Sequence, residues 1–247
     1  MGGLSLDEDL HVHSRFSDGE GTPAENAAAA VALGLRRLGC VDHVRHDSIY
    51  VPEFVAAIRA LRATAPIELT IGVEARMLDA RGSLDLPPAI EGVELVFAAV
   101  HQIPSDDGPV SPESVRDRIA GEPGAAGRLV EQIVGATIAA MHRAADEPYD
   151  LVLAHLFAVL PRIGVDEAAV SSDAIDRIAR AASETRTIIE CSERWRCPGA
   201  RMIAAAVRYG VRVVASTDSH TPRGIGRYSY VAGIAAALET AGVRERK

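Results

Sequence analysis

Short apolar runs, each ended by a histidine or a carboxylate, recur along this chain of 247 residues. One histidine at the end of an apolar run is ordinary, but six of the chain's eight histidines stand in such places. They are His11, His13, His43, His101, His155 and His220, and the carboxylates Asp18, Glu74 and Asp218 accompany them. Nitrogen and oxygen donors of this kind suit Zn, Mn or Fe, whereas nothing in the pattern indicates a thiolate site. The pattern predicts a metalloenzyme.

The apolar runs alternate with longer, alanine-rich segments of helical period. We expect strands over 8–12, 37–41, 67–73, 94–100, 150–154, 186–190 and 211–217. We expect helices over 26–37, 52–63, 125–145, 172–182, 198–209 and 230–241. This alternation predicts a parallel sheet covered by helices. The stretch 103–124 is rich in Pro, Gly, Ser and Asp, and it predicts a long loop or lid.

The placement of the candidate ligands favours a closed barrel. In such a barrel all carboxyl ends of the strands open onto one face, where active sites are built. Closure would bring together ligands from six strands, whereas an open doubly wound sheet would spread them along an edge. The strand count is one fewer than in the standard eight-stranded barrel. We therefore expect an α/β fold, a distorted barrel that forms one domain over residues 1–247.

Composition narrows the class of protein. A formal net charge of −8 argues against a nucleic-acid partner, whose phosphates need clustered Arg or Lys. The only lysine is Lys247, which excludes Schiff-base chemistry, pyridoxal phosphate attachment and a P-loop. Three cysteines predict reduced thiols and a cytoplasmic protein. We expect neither a signal peptide nor a membrane span, because no apolar run approaches the roughly 20 residues that a span needs.

In their order, these motifs resemble the PHP (polymerase and histidinol phosphatase) family. The resemblance runs from His-x-His-Ser-x-x-Ser-Asp-Gly at 11–19, through Asp42-His43 and Gly72-Val73-Glu74, to Asp218-Ser219-His220. It covers about residues 9–227 and implies a distorted (β/α)7 TIM-like barrel with two or three metal ions. Residues 81–87 also look like the PHP domains attached to family X DNA polymerases. Residues 190–196 depart from the family's Glu-x-Asn pattern, because Cys191-Ser192 stands there.

The resemblance also implies which residues hold each ion. A first ion would be held by His11, His13, Glu74 and Asp218. A second would be held by Glu74, His101 and His155, with Glu74 as the bridge, and a third by Asp18, His43 and His220. Asp9 and Asp42 are expected to orient neighbouring ligands rather than bind metal. For Glu190 a role in the site and a purely structural role both stay open.

Arginines near the predicted strand ends are candidates for binding a substrate phosphate. Arg194, Arg196 and Arg223 lie there, and each could equally be a surface residue of an arginine-rich chain. Arg223, three residues after His220, is the first choice because bidentate guanidinium contacts suit phosphate. We expect His11, Glu74, Asp218 and Arg223 to form the catalytic group. Trp195 could pack against the organic part of a substrate.

These residues predict metal-dependent hydrolysis of a phosphate ester of a small metabolite, as in a histidinol-phosphatase-like phosphomonoesterase. The substrate would be a small phosphorylated metabolite, and the cofactor two or three divalent ions (Zn, Mn or Fe). A phosphodiesterase or nuclease acting on nucleotides or DNA ends uses the same chemistry and stays open. An amidohydrolase is a further alternative, although such sites usually use a carboxylated lysine that this chain lacks on its strands.

Overall fold

The computed structural model describes residues 4–119 and 121–242, so that Lys247 lies outside the described residues. The strands are β1 Glu8–Val12, β2 Arg37–Val44, β3 Glu68–Arg76, β4 Leu95–Ala99, β5 Asp150–Ala154, β6 Ile188–Ser192 and β7 Val213–Ser216. The helices are α1 Pro23–Ala32, α2 Val51–Arg62, α3 Pro112–Ile119, α4 Ala125–Ala144, α5 Ser172–Thr185, α6 Ala200–Arg208 and α7 Tyr230–Thr240. Two 3₁₀ turns follow β5, at Pro161–Ile163 and Glu167–Ala169.

All seven strands pair in parallel and follow one another around the sheet in chain order. The register of β2 and β3, for example, runs from Arg37 opposite Glu68 to Val44 opposite Ala75. Helices of the connecting segments cover the sheet, so each strand's carboxyl end points to the same face. This arrangement confirms the distorted (β/α)7 barrel expected from the sequence, with each strand within a few residues of its predicted place.

The barrel closes between β7 and β1 mainly through side chains. In the described residues, the backbone pairing here is one bridge between Val12, at the end of β1, and Ser219, three residues beyond β7, whereas the other neighbours share ladders of several residues. The buried carboxylate of Asp9 accepts hydrogen bonds from the backbone N–H of Thr217 (2.9 Å), the hydroxyl of Thr217 (2.6 Å) and the N–H of Gly226 (2.9 Å). Asp9 therefore stabilises the closure in place of backbone pairing.

Two apolar layers fill the molecule, one inside the barrel and one between the strands and the helices. The inner layer includes Leu10, Val41, Phe97, Val152 and Val214. The outer layer includes Phe54, Ile58, Ile133, Ile178 and Ile203. The ring of Phe97 lies 4.5 Å from the ring of His11, centroid to centroid, so the inner layer forms the floor beneath the candidate ligands.

Two sequence predictions were wrong in detail. The helix expected over 26–37 ends at Ala32, because Gly34 takes a left-handed φ of 78° that turns the chain into β2. The stretch 103–124 is not entirely a loop, since α3 forms within it. Ser111-Pro112-Glu113 carries the ordinary signals of a helix start, and Val115 is buried, but the surrounding Pro and Gly obscured them.

The helices in the described part of the chain include none with the length and apolar character needed to cross a bilayer. Cys40, Cys191 and Cys197 are all buried and unpaired among these residues. The cytoplasmic location expected from the cysteine content stays a prediction.

Because Asp9 satisfies three donors at the barrel's closure, Asp9→Ala is expected to lower the free energy of unfolding by about 2–4 kcal/mol. The control is Asp7→Ala two residues earlier, which removes contacts with the half-buried Ser5 and the exposed Arg36 and should cost less than about 1 kcal/mol. Urea unfolding followed by circular dichroism measures both. Equal losses in the two variants would show that Asp9 does not hold the closure.

Candidate metal centre

The nine ligand candidates meet at the carboxyl ends of the strands. His11 and His13 lie at the end of β1, His43 and Glu74 lie within the last residues of β2 and β3, and His101 and His155 directly follow β4 and β5. Asp218 and His220 follow β7, and Asp18 lies in the loop after β1. Their donor atoms form three groups that could each hold a metal ion. The groups are His11, His13 and Asp218; Glu74, His101 and His155; and His13, Asp18, His43 and His220.

The carboxylate of Glu74 lies between these groups. Its Oε1 is 2.9 Å from Nε2 of His155 and 3.3 Å from Nε2 of His101. Its Oε2 is 2.8 Å from Nδ1 of His43, 3.4 Å from Nε2 of His11 and 3.5 Å from Nε2 of His13. The two oxygens thus face two different sets of imidazoles, which is the geometry of a carboxylate that bridges two ions.

The first group is buried, and its carboxylate comes from Asp218. Oδ1 of Asp218 lies 3.0 Å from Nε2 of His13. The indole N–H of Trp195 donates to the other oxygen, Oδ2, at 2.6 Å. Trp195 therefore fixes the rotation of this carboxylate and leaves Oδ1 directed at the histidines.

The third group is more open to solvent. Oδ2 of Asp18 lies 3.4 Å from Nε2 of His220 and 3.6 Å from Nε2 of His43. The side chain of Asp18 is 56% exposed, against 1% for Glu74. His13 contributes to this group as well as to the first, which the assignment from family resemblance did not include.

Several buried side-chain nitrogen and oxygen atoms in this centre have no hydrogen-bond partner. They are Nε2 of His11, Nε2 of His13, Oε2 of Glu74 and Oδ1 of Asp218. A buried polar atom without a partner costs about 1–3 kcal/mol, so such atoms rarely collect in one place. These four are the ligand atoms expected for the first ion. The donor set therefore fits a bound divalent cation.

The charges of these groups also suit cation binding. Burial disfavours ionisation of Glu74, but His11, His101 and His155 outweigh it and hold the pKa of Glu74 well below its usual value. Burial lowers the pKa of His13 to about 4, so its imidazole is neutral at pH 7. Burial opposes protonation of His11 too, yet the carboxylates of Glu190 and Glu74 raise its pKa well above the usual value. A cation at His11 would therefore displace a proton.

Glu190, at the middle of β6, orients ligands from two other strands. It is fully buried, and its Oε1 accepts a hydrogen bond from Nδ1 of His11 at 2.7 Å. Oε1 also accepts from the hydroxyl of Ser216, and Oε2 accepts from the backbone N–H of His155. The bond to Nδ1 turns Nε2 of His11 toward Glu74. Glu190 therefore contacts two candidate ligands directly, and a role for it in the chemistry stays a prediction.

Asp42 shapes the loop that carries Asp18. Its carboxylate accepts hydrogen bonds from the N–H (2.9 Å) and hydroxyl (2.6 Å) of Ser14 and from the N–H of Ser17 (3.2 Å). Gly19 is required in the same loop, because a Cβ there would lie 2.5 Å from the backbone of His13. The Ser-x-x-Ser-Asp-Gly part of the motif is thus a loop that folds back over His13.

Two ligand candidates have strained backbones. His155 has φ of 29° and Asp218 has φ of 49°, in the region that residues other than glycine rarely adopt. Such strain costs about 1–3 kcal/mol per residue and concentrates at functional sites. Hydrogen bonds surround these residues, including the one that the N–H of His155 donates to Oε2 of Glu190.

The centre lies in a cavity of about 670 Å³. Arg194 lines this cavity, with Nη1 2.9 Å from Nδ1 of His220 and Nε 3.9 Å from Oδ2 of Asp218. Arg196 instead lies over the ring of Tyr230 at 5.5 Å, outside the cavity.

Arg223 is exposed and does not line the cavity either. Three residues later in the same loop, the N–H of Gly226 donates to Asp9 at 2.9 Å. The structure therefore brings only one of the three predicted arginines to the centre.

Three other arginines line the cavity and were missed from the sequence: Arg45, Arg76 and Arg162. Arg45 and Arg76 stand two residues after His43 and Glu74. Since side chains two apart on a strand point to the same side, this spacing was a usable signal. Arg162 comes from the turn after β5, whose direction no local pattern indicated.

Comparison with known proteins adds a family and a fold. The family model described as "PHP domain" matches residues 9–194, which is more than half of the chain. A search of curated proteins finds no match to the sequence. Among solved structures, histidinol phosphate phosphatase from Lactococcus lactis subsp. lactis Il1403, in complex with zinc, L-histidinol and phosphate, superposes with a TM-score of 0.69 at 20% identity. That match covers 96% of this chain and 94% of the other.

Weaker structural likenesses also occur. A D-hydantoinase gives a TM-score of 0.48 at 14% identity, covering 98% of this chain and 67% of the other. Dihydropyrimidinase from Brevibacillus agri NCHU1002 gives 0.44 at 13% identity, covering 88% and 57%. The superposition on histidinol phosphate phosphatase shows a shared fold, and the match to the family model shows the family. The chain belongs to the PHP domain family.

Proposed function

We propose that this chain is a metal-dependent phosphomonoesterase that hydrolyses a phosphate ester of a small metabolite. The observation that carries the proposal is the composition of the cavity. Three metal-ligand groups lie along its base, and the other charged residues that line it, in the described part of the chain, are all arginines. Cations and guanidinium groups together match the charge and shape of a phosphoryl group.

The residues that would hold the ions follow from the groups described above. His11, His13, Glu74 and Asp218 would hold the first ion. Glu74, His101 and His155 would hold the second, and Asp18, His43 and His220 the third, with His13 near it. Divalent ions such as Zn, Mn or Fe supply there a nucleophile at neutral pH and positive charge for the phosphoryl oxygens.

Other residues of the chain orient the ligand side chains. Glu190 holds His11 and His155 in place, and Trp195 fixes Asp218, so the ligand atoms converge without rearrangement. The ring of the buried Phe97 packs against the ring of His11 from below. Arg194 lies beside His220 at the edge of the third group, where its remaining N–H groups can donate to phosphoryl oxygens. Arg196 and Arg223 stay candidates from the sequence alone.

The amidohydrolase alternative has less support in the chain. The strand position of a carboxylated lysine cannot be filled, because the only lysine is Lys247. Glu74 on β3 offers the bridging carboxylate instead. A phosphodiesterase would use the same centre, and substrate tests distinguish it from a phosphomonoesterase.

Replacement of Glu74 is expected to disturb two ions at once. Glu74→Gln removes the shared negative charge, so reconstituted protein should lose more than about one ion per chain relative to the parent. His43→Ala should lose at most about one ion, because His43 is a member of the third group and meets the other groups only through its contact with Oε2 of Glu74. His142→Ala, on the exposed side of α4, is the control and should lose none. Elemental analysis after gel filtration measures this. Equal, small losses for Glu74→Gln and His43→Ala would contradict a bridging Glu74.

The function itself is tested with an aryl phosphate. Protein reconstituted with Mn or Zn should hydrolyse it, and a chelator should abolish the activity. Arg194→Ala should retain its metal but lose about ten- to a hundredfold in kcat/KM, as expected for a charge-assisted contact to phosphate.

Arg223→Ala in the same assay tests the assignment of Arg223 to phosphate binding that the sequence predicted. A ten- to a hundredfold loss in kcat/KM in that variant, roughly the size given for a charge-assisted contact, would assign phosphate binding to Arg223. Amide or lactone hydrolysis with no phosphatase activity under any metal would overturn the proposed function.

A further inference from the structure

The cavity has a positively charged rim in addition to its metal-ligand groups. Arg45, Arg76, Arg162 and Arg194 line it. Every carboxylate that lines the cavity in the described residues belongs to a metal-ligand group. No acidic side chain is therefore left there to receive a cationic substrate group.

Arg76 is held rigidly from behind. Its Nη2 donates to the buried carboxylate of Asp85 at 2.8 Å, and its Nη1 donates to Oε1 of Gln102 at 3.0 Å. Asp85 is itself fixed by the backbone N–H of His46 at 2.9 Å. Nε of Arg76 is buried without a partner. A guanidinium fixed in this way loses little conformational entropy when it binds an anion.

Arg162 and Arg45 extend this positive rim. Arg162 donates through Nη1 to the backbone oxygen of His101 at 3.0 Å and through Nη2 to Glu113 on α3 at 3.1 Å. Arg45 forms no ion pair with any carboxylate of the described residues. Asp85 and Glu113 each offset one arginine, so the charge of Arg45 is left uncompensated at the mouth of the cavity.

Their contacts separate these arginines into two sets. Arg194 contacts the side chain of a candidate ligand, His220. In the described residues, the side chains of Arg45, Arg76 and Arg162 form no hydrogen bond to a ligand side chain. We propose that the substrate carries a second oxyanion, besides the phosphate that is hydrolysed, and that Arg45, Arg76 and Arg162 bind it. The substrate would carry no ammonium group near this rim. This inference rests on the proposed phosphomonoesterase function.

The inference differs from what the structural neighbour binds. L-histidinol, present in the Lactococcus lactis enzyme, is an amino alcohol that carries an ammonium at neutral pH. Here an ammonium at the rim would meet guanidinium groups and no free carboxylate. Histidinol phosphate is accordingly expected to be a poor substrate of this chain.

A matched series of two-carbon phosphate esters tests the charge preference. The esters are 2-aminoethyl phosphate, 2-hydroxyethyl phosphate, carboxymethyl phosphate and ethane-1,2-diol bisphosphate. With the metal-reconstituted full chain, kcat/KM for the two anionic esters should exceed that for the hydroxyethyl ester by about tenfold or more, and the aminoethyl ester should be the poorest. Comparison of carboxymethyl phosphate with ethane-1,2-diol bisphosphate shows whether the second anionic group is a carboxylate or a phosphate.

Substitutions show which arginines cause the preference for anionic esters. Arg45→Gln and Arg162→Gln should each lower the ratio of anionic to hydroxyethyl ester by about threefold or more. Arg180→Gln, exposed on α5 away from the cavity, is the matched control and should keep the ratio. A flat or reversed order across the series, with hydrolysis intact, would overturn the second-anion inference and leave the phosphomonoesterase proposal standing.

Binding of phosphonates keeps the two proposals separable if no ester is hydrolysed. Phosphonoacetate should bind the metal-loaded protein about tenfold more tightly than 2-aminoethylphosphonate in calorimetry, and Arg45→Gln should reduce that difference. This result without turnover would support the anion rim and overturn the phosphomonoesterase. Equal binding of the two phosphonates would overturn the anion rim.

Discussion

The structure depends on one buried carboxylate surrounded by imidazoles. Glu74 is almost inaccessible to solvent, yet its charge is stabilised because histidines from β1, β2, β4 and β5 face its two oxygens. An isolated carboxylate in this position would carry a large desolvation cost. The barrel can bury it only with positive charge close by, from protonated histidines or from bound cations. The barrel can therefore close around Glu74 only if its centre contains histidines or bound cations.

Two further buried carboxylates hold the ligand-bearing elements around Glu74. Glu190 connects His11, His155 and the end of β7, and Asp9 joins β1 to the loop that carries Asp218. Both carboxylates accept several hydrogen bonds, so their burial is compensated. Ligands that come from distant parts of the chain are thereby fixed relative to one another. A centre built on such supports is preorganised, which is what stabilisation of a charged transition state needs.

Much of this could be predicted from the sequence, because the ligands sit at strand ends and parallel strands in a barrel share a carboxyl face. What failed depended on long-range contacts. Arg223 follows the last ligands closely in sequence, yet its side chain is exposed and does not line the cavity. Its loop is tied to a residue 217 positions away, through the bond from Gly226 to Asp9. Arg162 reaches the cavity through a turn held by His101 and Glu113. Arg76 could have been found from its strand spacing to Glu74.

The central claim is that Glu74 joins two metal ions at the top of the barrel. A crystal structure of protein reconstituted with Mn or Zn, with anomalous data collected at the metal's absorption edge, tests it most directly. We predict one anomalous peak among His11, His13, Glu74 and Asp218, and a second among Glu74, His101 and His155. Peaks confined to surface histidines, or an empty centre at saturating metal, would contradict the account.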